Sequence, residues 1–105
     1  MKNAEKVRIL LQNLGYAILV DYTFKSDGKF YDLIKAKKGV KTKKLNKRQL
    51  KFGRDNVKFL PMAFKEKISN RIAILKKCIG EEKANKKTVR IMNKELKELN
   101  KYVKY

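Results

Sequence analysis

The chain has 105 residues, enough for one domain with a modest core; 43% are hydrophobic and 37% charged, and there is no Trp or His. Twenty-nine Lys and Arg against ten Asp and Glu give a net charge of +19, which repels itself in a compact chain and calls for a polyanionic partner. Lacking His, the chain excludes zinc fingers, HNH nucleases and His-dependent triads; its one cysteine excludes an intramolecular disulfide, and no run of 18 apolar residues offers a membrane span.

Residues 3 to 14, NAEKVRILLQNL, place Ala4, Val7, Leu10, Leu11 and Leu14 at helical spacing, with Asn3 as cap and Gly15 as stop. The stripe predicts an amphipathic first helix. YAILVDYTF and KFYDLIKAK then flank KSDG, whose Asp27-Gly28 pair favours a tight turn, so a β-hairpin is expected. Alternation puts Ile18, Val20, Tyr22 and Phe24 on one face of the first strand. Gly39 marks a second turn, and VKTKKL leads either to a third strand or to a basic helix at NKRQLKF. GRDN reads as a turn and VKFL as a short strand that Pro61 ends.

Beyond Pro61 the pattern is helical. Phe64, Ile68, Ile72, Leu75 and Ile79 form one stripe closed by Gly80, and Val89, Met92, Leu96, Leu99 and Val103 form a narrow seam at alternating steps of three and four. The short link makes the two helices an antiparallel hairpin, with Cys78 a buried small hydrophobe in the first of them. The expected fold is α+β: an N-terminal helix, an antiparallel sheet of two to four strands, and a C-terminal helical hairpin packed on it. A single basic domain spanning 1–105 is expected, residues 1–60 forming the helix and sheet and 61–105 the hairpin. The seam would also suit a homodimer contact.

Residues 33 to 54 hold no acid, and KAKKGVKTKKLNKRQLK, 35 to 51, carries nine Lys or Arg in seventeen positions. Lys35, Lys37, Lys38, Lys41, Lys43, Lys44, Lys47, Arg48, Lys51 and Arg54 are therefore the candidate nucleic-acid contacts, with Tyr22, Tyr31 and Phe52 as stacking platforms. Twenty-four Lys against five Arg favours phosphate contact over base reading, because bidentate reading of guanine prefers arginine. The C-terminal helices would make a poor helix-turn-helix, since only Asn85, Lys86, Lys87 and Arg90 could start a recognition helix.

Catalytic patterns are weak. A two-carboxylate metal nuclease needs, after Asp32, a second acid followed two residues on by Lys, and no acid occurs before Asp55. No spaced-glycine phosphate loop is present, and neither Ser26 nor Ser69 has a base to activate it. Asp21 and Asp32 read as partners for lysines. The expectation is a non-enzymatic cytoplasmic protein that grips DNA or RNA by its backbone, with no metal, cofactor or membrane contact. The alternative is a small anti-defence-type inhibitor or adaptor of a phage or mobile element that binds a nucleic-acid-handling protein or its RNA or DNA channel; the partner is then nucleic acid or a nucleoprotein complex.

Overall fold

The structure, a computed structural model, describes residues 3–39, 43–81 and 85–103. Its elements in order are α1 (Ala4–Asn13), β1 (Tyr16–Ser26), β2 (Lys29–Lys38), α2 (Lys47–Phe52), α3 (Arg54–Phe59), α4 (Met62–Gly80) and α5 (Lys86–Asn100). The chain divides into two compact units, Met1–Phe64 and Lys65–Tyr105. The α+β class is as expected, with the sheet at its minimum of two antiparallel strands.

Local chemistry sets the boundaries. Asn3 accepts the Lys6 N–H and caps α1, and Leu14 and Gly15 close it through N–H donations to Leu10 and Gln12. The hairpin reverses at Asp27 (φ 50°) and Gly28 (φ 75°), the two positive dihedrals that suit the right-handed twist of paired strands. Among the described residues β2 pairs only with β1, so its second edge is open.

The interior of the first unit differs from the sequence expectation. A bulge between Ile18 and Val20 shifts the register, and beyond it the buried positions of β1 are Asp21 and Thr23. Phe24, which alternation puts on one face with Ile18, is exposed where Ile18 is buried. In α1 the buried residue is Arg8, whereas Val7, Leu10 and Leu14 of the predicted stripe are 41%, 58% and 56% exposed. VKFL, read as a strand, is helical: α3 buries Asn56 and ends at Leu60, in the left-handed region at φ 49°. The ambiguity after Gly39 resolves in favour of a basic helix, because Asn46 and Gln49 form a reciprocal capping box that starts α2.

In the second unit the stripe forms as read. Ile68, Ile72 and Leu75 of α4 are buried, as is Leu99 of α5, and the Arg71 guanidinium clamps Glu95 at 2.8 and 3.2 Å to tie the two helices together. Asn85 caps α5 by accepting the Thr88 N–H. Val89, Met92, Leu96 and Val103 are half-buried within the chain. No helix of the described residues is long and apolar enough to cross a membrane.

Candidate nucleic-acid interface

A buried polar network positions the basic segment. Arg8 meets Asp21 at two points, Nε to Oδ2 at 2.7 Å and Nη2 to Oδ1 at 3.0 Å, while its Nη1 donates to the carbonyls of Leu50 and Lys51 at the end of α2. α1, β1 and α2 are thereby tied by one side chain. Asn56 accepts the Thr23 N–H at 2.8 Å and donates to Thr23 Oγ1 and the Phe52 carbonyl; Asp55 accepts the Asp21 N–H at 2.9 Å. Burial pushes the Asp21 carboxyl above its ordinary value, against the lowering pull of the Arg8 hydrogen bonds and charge.

Gly53 lies where these groups converge. Its φ is +101°, and a Cβ there would stand 2.9 Å from Asp21 Oδ1 and 3.0 Å from both Arg8 Nη2 and Asn56 Nδ2. Only glycine lets the chain pass between α2 and α3 this close to the ion pair.

The cationic candidates separate into two groups on this frame. Lys35, Lys37 and Lys38 of β2, Lys43 and Lys44 before α2, and Lys47, Arg48 and Lys51 on α2 are exposed; Lys41 lies outside the described residues. Arg54 belongs to the scaffold: Nη1 and Nη2 donate to the carbonyls of Ile18 and Leu19, each at 2.7 Å, and Nε donates to Asp55 at 3.1 Å. The aromatics divide likewise. Phe52 sits edge-on to Phe64 with centroids 6.1 Å apart and carries the Lys51 ammonium at 5.2 Å, while Tyr22 is half-buried. Tyr31 is exposed and stacks on Phe24 at 5.5 Å, making a two-ring platform on the sheet.

Beside α1 and the start of β1 lies a cleft of about 750 Å³, lined by Gln12, Gly15, Tyr16, Ile18, Lys43, Lys44, Leu45, Asn46, Gln49 and Arg54. Gln12 Oε1 accepts the Leu45 N–H at 2.8 Å and so holds the basic segment against α1. Sequence reasoning missed Arg8, Asp21, Asn56 and Gly53. Their signal was present: Arg is scarce here, and an acid interrupts the apolar run of AILVDYTF.

The fold is shared with a portion of several larger proteins of known structure. A candidate tRNA (m1A22) methyltransferase of Streptococcus pneumoniae superposes with a TM-score of 0.82 at 20% identity, over 96% of this chain and 45% of that one. Mycoplasma capricolum TrmK, solved with S-adenosyl-homocysteine, gives 0.78 at 18% over 94% and 44%, and the Bacillus subtilis m1A22 tRNA methyltransferase TrmK gives 0.71 at 15% over 97% and 48%. No curated relative matches by sequence. The chain belongs to the TrmK family, tRNA (adenine(22)-N(1))-methyltransferase, whose model matches residues 1–102. It spans less than half the length of the solved relatives.

Membership in a family of enzymes overturns the expectations of a non-catalytic binding protein, of no enzymatic role, and of a mobile-element accessory or inhibitor. Those expectations rested on the weakness of catalytic motifs within 105 residues. That weakness does not bear on the reaction where the chain matches less than half of a larger enzyme.

Proposed function

We propose that the chain is a portion of a tRNA methyltransferase that methylates N1 of an adenine, and that its exposed lysines hold the tRNA during the reaction. The observation that carries this reading is the family match over residues 1–102. The surface chemistry agrees with it. Eight exposed cations, Lys35, Lys37, Lys38, Lys43, Lys44, Lys47, Arg48 and Lys51, lie on β2, α2 and the stretch before α2, a stretch of sequence without carboxylates. Lysine neutralises phosphates without reading bases, as a substrate recognised largely by shape requires. Phe24 and Tyr31 offer an unpaired base a stacking face.

S-adenosylmethionine, the methyl donor bound in a further Streptococcus pneumoniae structure, does not fit the described residues. A sulfonium, an ammonium and two ribose hydroxyls call for carboxylate acceptors, and the 750 Å³ cleft is lined by Lys43, Lys44, Arg54 and carboxamides without one. We assign donor binding to the polypeptide that the relatives carry beyond the matched length.

In an active methyltransferase containing this chain, changing Lys43, Lys44, Lys47 and Arg48 together to Gln should raise KM for tRNA about tenfold or more at moderate salt and leave donor affinity unchanged. An unchanged KM for tRNA would overturn the reading, and so would an affinity for tRNA that ignores salt.

A further inference from the structure

The cleft beside α1 carries a property that the exposed lysines do not share: its polar lining is oriented to donate. Three carboxamides line it, and in each the oxygen is already held by a backbone N–H. Gln12 Oε1 accepts from Leu45 at 2.8 Å, Asn46 Oδ1 from Gln49 at 2.8 Å, and Gln49 Oε1 from Asn46 at 3.0 Å. An amide whose oxygen is fixed presents its NH2 as the remaining function, and among the described residues no acceptor takes up these three NH2 groups. Lys43 and Lys44, both exposed, also line it, and no carboxylate does.

A lining of carboxamides with engaged oxygens and of ammonium groups, without a carboxylate, defines the ligand's chemistry. A base edge or a sugar presents donors and acceptors in mixture, whereas a phosphate presents only acceptor oxygens and negative charge. The volume of about 750 Å³ takes a nucleotide with its phosphate, and Tyr16 lines the same cleft to pack against the sugar or base. The two capping-box amides are fixed by each other, and Gln12 is fixed by the segment it tethers, so the donors are oriented before any ligand arrives.

We infer that this cleft is a phosphodiester site, where Gln12, Asn46, Gln49, Lys43 and Lys44 grip one backbone phosphate of the tRNA and fix its register on the enzyme; the inference rests on the tRNA reading above. Lysines spread over a surface attract RNA without setting where along the strand it sits. A recessed site with oriented donors does set it.

Glutamate at positions 12 and 49 tests this without disturbing the scaffold, because a carboxylate oxygen can still accept from Leu45 and Asn46 while the two donors become negative charges. Inorganic pyrophosphate titrated into the 15N-labelled protein should shift the Leu45 and Gln49 amides, and the Gln12→Glu/Gln49→Glu variant, with an unchanged thermal midpoint, should lose that response. Its tRNA affinity should fall about tenfold or more, with a log–log salt slope shallower by about one contact. No amide response in the wild type overturns the anion site. A pyrophosphate response together with unaltered tRNA affinity in the variant overturns the assignment to tRNA in favour of a free-phosphate site. If the wild type binds pyrophosphate in the cleft but binds no tRNA, the tRNA reading itself falls while the anion site stands.

Discussion

Arg8 and Asp21 face each other across 2.7 and 3.0 Å with side chains only 2% and 0% exposed, an ion pair sealed inside a unit of 64 residues. Its worth lies in what happens when one partner is lost. Two charges buried together roughly offset their desolvation, whereas one left alone does not. Arg8→Met should cost about 3–5 kcal/mol, and Arg8→Met with Asp21→Asn should cost less than the sum of the single changes. Chemical denaturation of the four proteins checks this, and simple additivity would mean that the pair is not coupled.

The same carboxyl gives stability a pH signature. Burial holds Asp21 above its ordinary value of 3.8, so the folded chain retains that proton to a higher pH than the unfolded chain. The folded state therefore binds more protons in that window, and the contribution is complete below pH 3.8 and lost as pH rises through the raised value. Thermal midpoints from about pH 3 to about pH 7 should fall for the wild type relative to Asp21→Asn. A gap constant across the range would contradict the sign.

Gly53→Ala meets two penalties at once. Its φ of +101° disfavours any side chain, and the new Cβ would press on Asp21, Arg8 and Asn56 at 2.9 to 3.0 Å. Strain alone costs about 1–3 kcal/mol, and displacing the ion pair adds to it. Calorimetry should show a loss well above that for Gly39→Ala, where φ is +82° but no atom lies within 4 Å.

Truncating Leu99 should separate core from surface. It is 3% exposed, so Leu99→Ala is expected to cost roughly 2–5 kcal/mol, more than Leu96→Ala at a half-buried position. In α1 the opposite holds: Leu10→Gln and Leu14→Gln should each change the stability of this chain by no more than about 0.5 kcal/mol. Equal losses at Leu99 and Leu10 would show that the stripe of α1 is core after all.

The parts of the fold legible in the sequence are those governed by neighbours along the chain. Asn3 and Gly15 bound α1, Asp27-Gly28 sets the hairpin, and the step of three and four from Phe64 to Leu75 marks α4. What failed was the inference from stripe to core. Val7, Leu10 and Leu14 are helical in period yet exposed, and the interior is built from Arg8, Asp21, Thr23 and Asn56. A buried polar network has no period, because its members come from separate elements and satisfy one another at long range. Arginine was the overlooked marker: Arg8, Arg54 and Arg71 all hold fixed, forked ion pairs, while the abundant lysines supply most of the exposed positive surface. For the candidate site, the exposed cations from Lys35 to Lys51 could be read from charge alone. The donor-lined cleft could not, since it depends on where the oxygens of Gln12, Asn46 and Gln49 are anchored.

The open edge of β2 has a colloidal consequence. A strand of ten residues that, among the described residues, pairs with another strand on one side only is a template for a further strand, and the exposed rings of Phe24 and Tyr31 add stickiness to the same hairpin. Lys29, Lys35, Lys37 and Lys38 guard it in the isolated chain, where like charges hold two copies apart. That guard weakens under the condition that neutralises it: at about 1 M salt the screening length shrinks to about 3 Å, and a bound polyanion cancels the charge outright. Chains crowded on RNA should therefore precipitate through their strands near charge balance and redissolve when either component is in surplus.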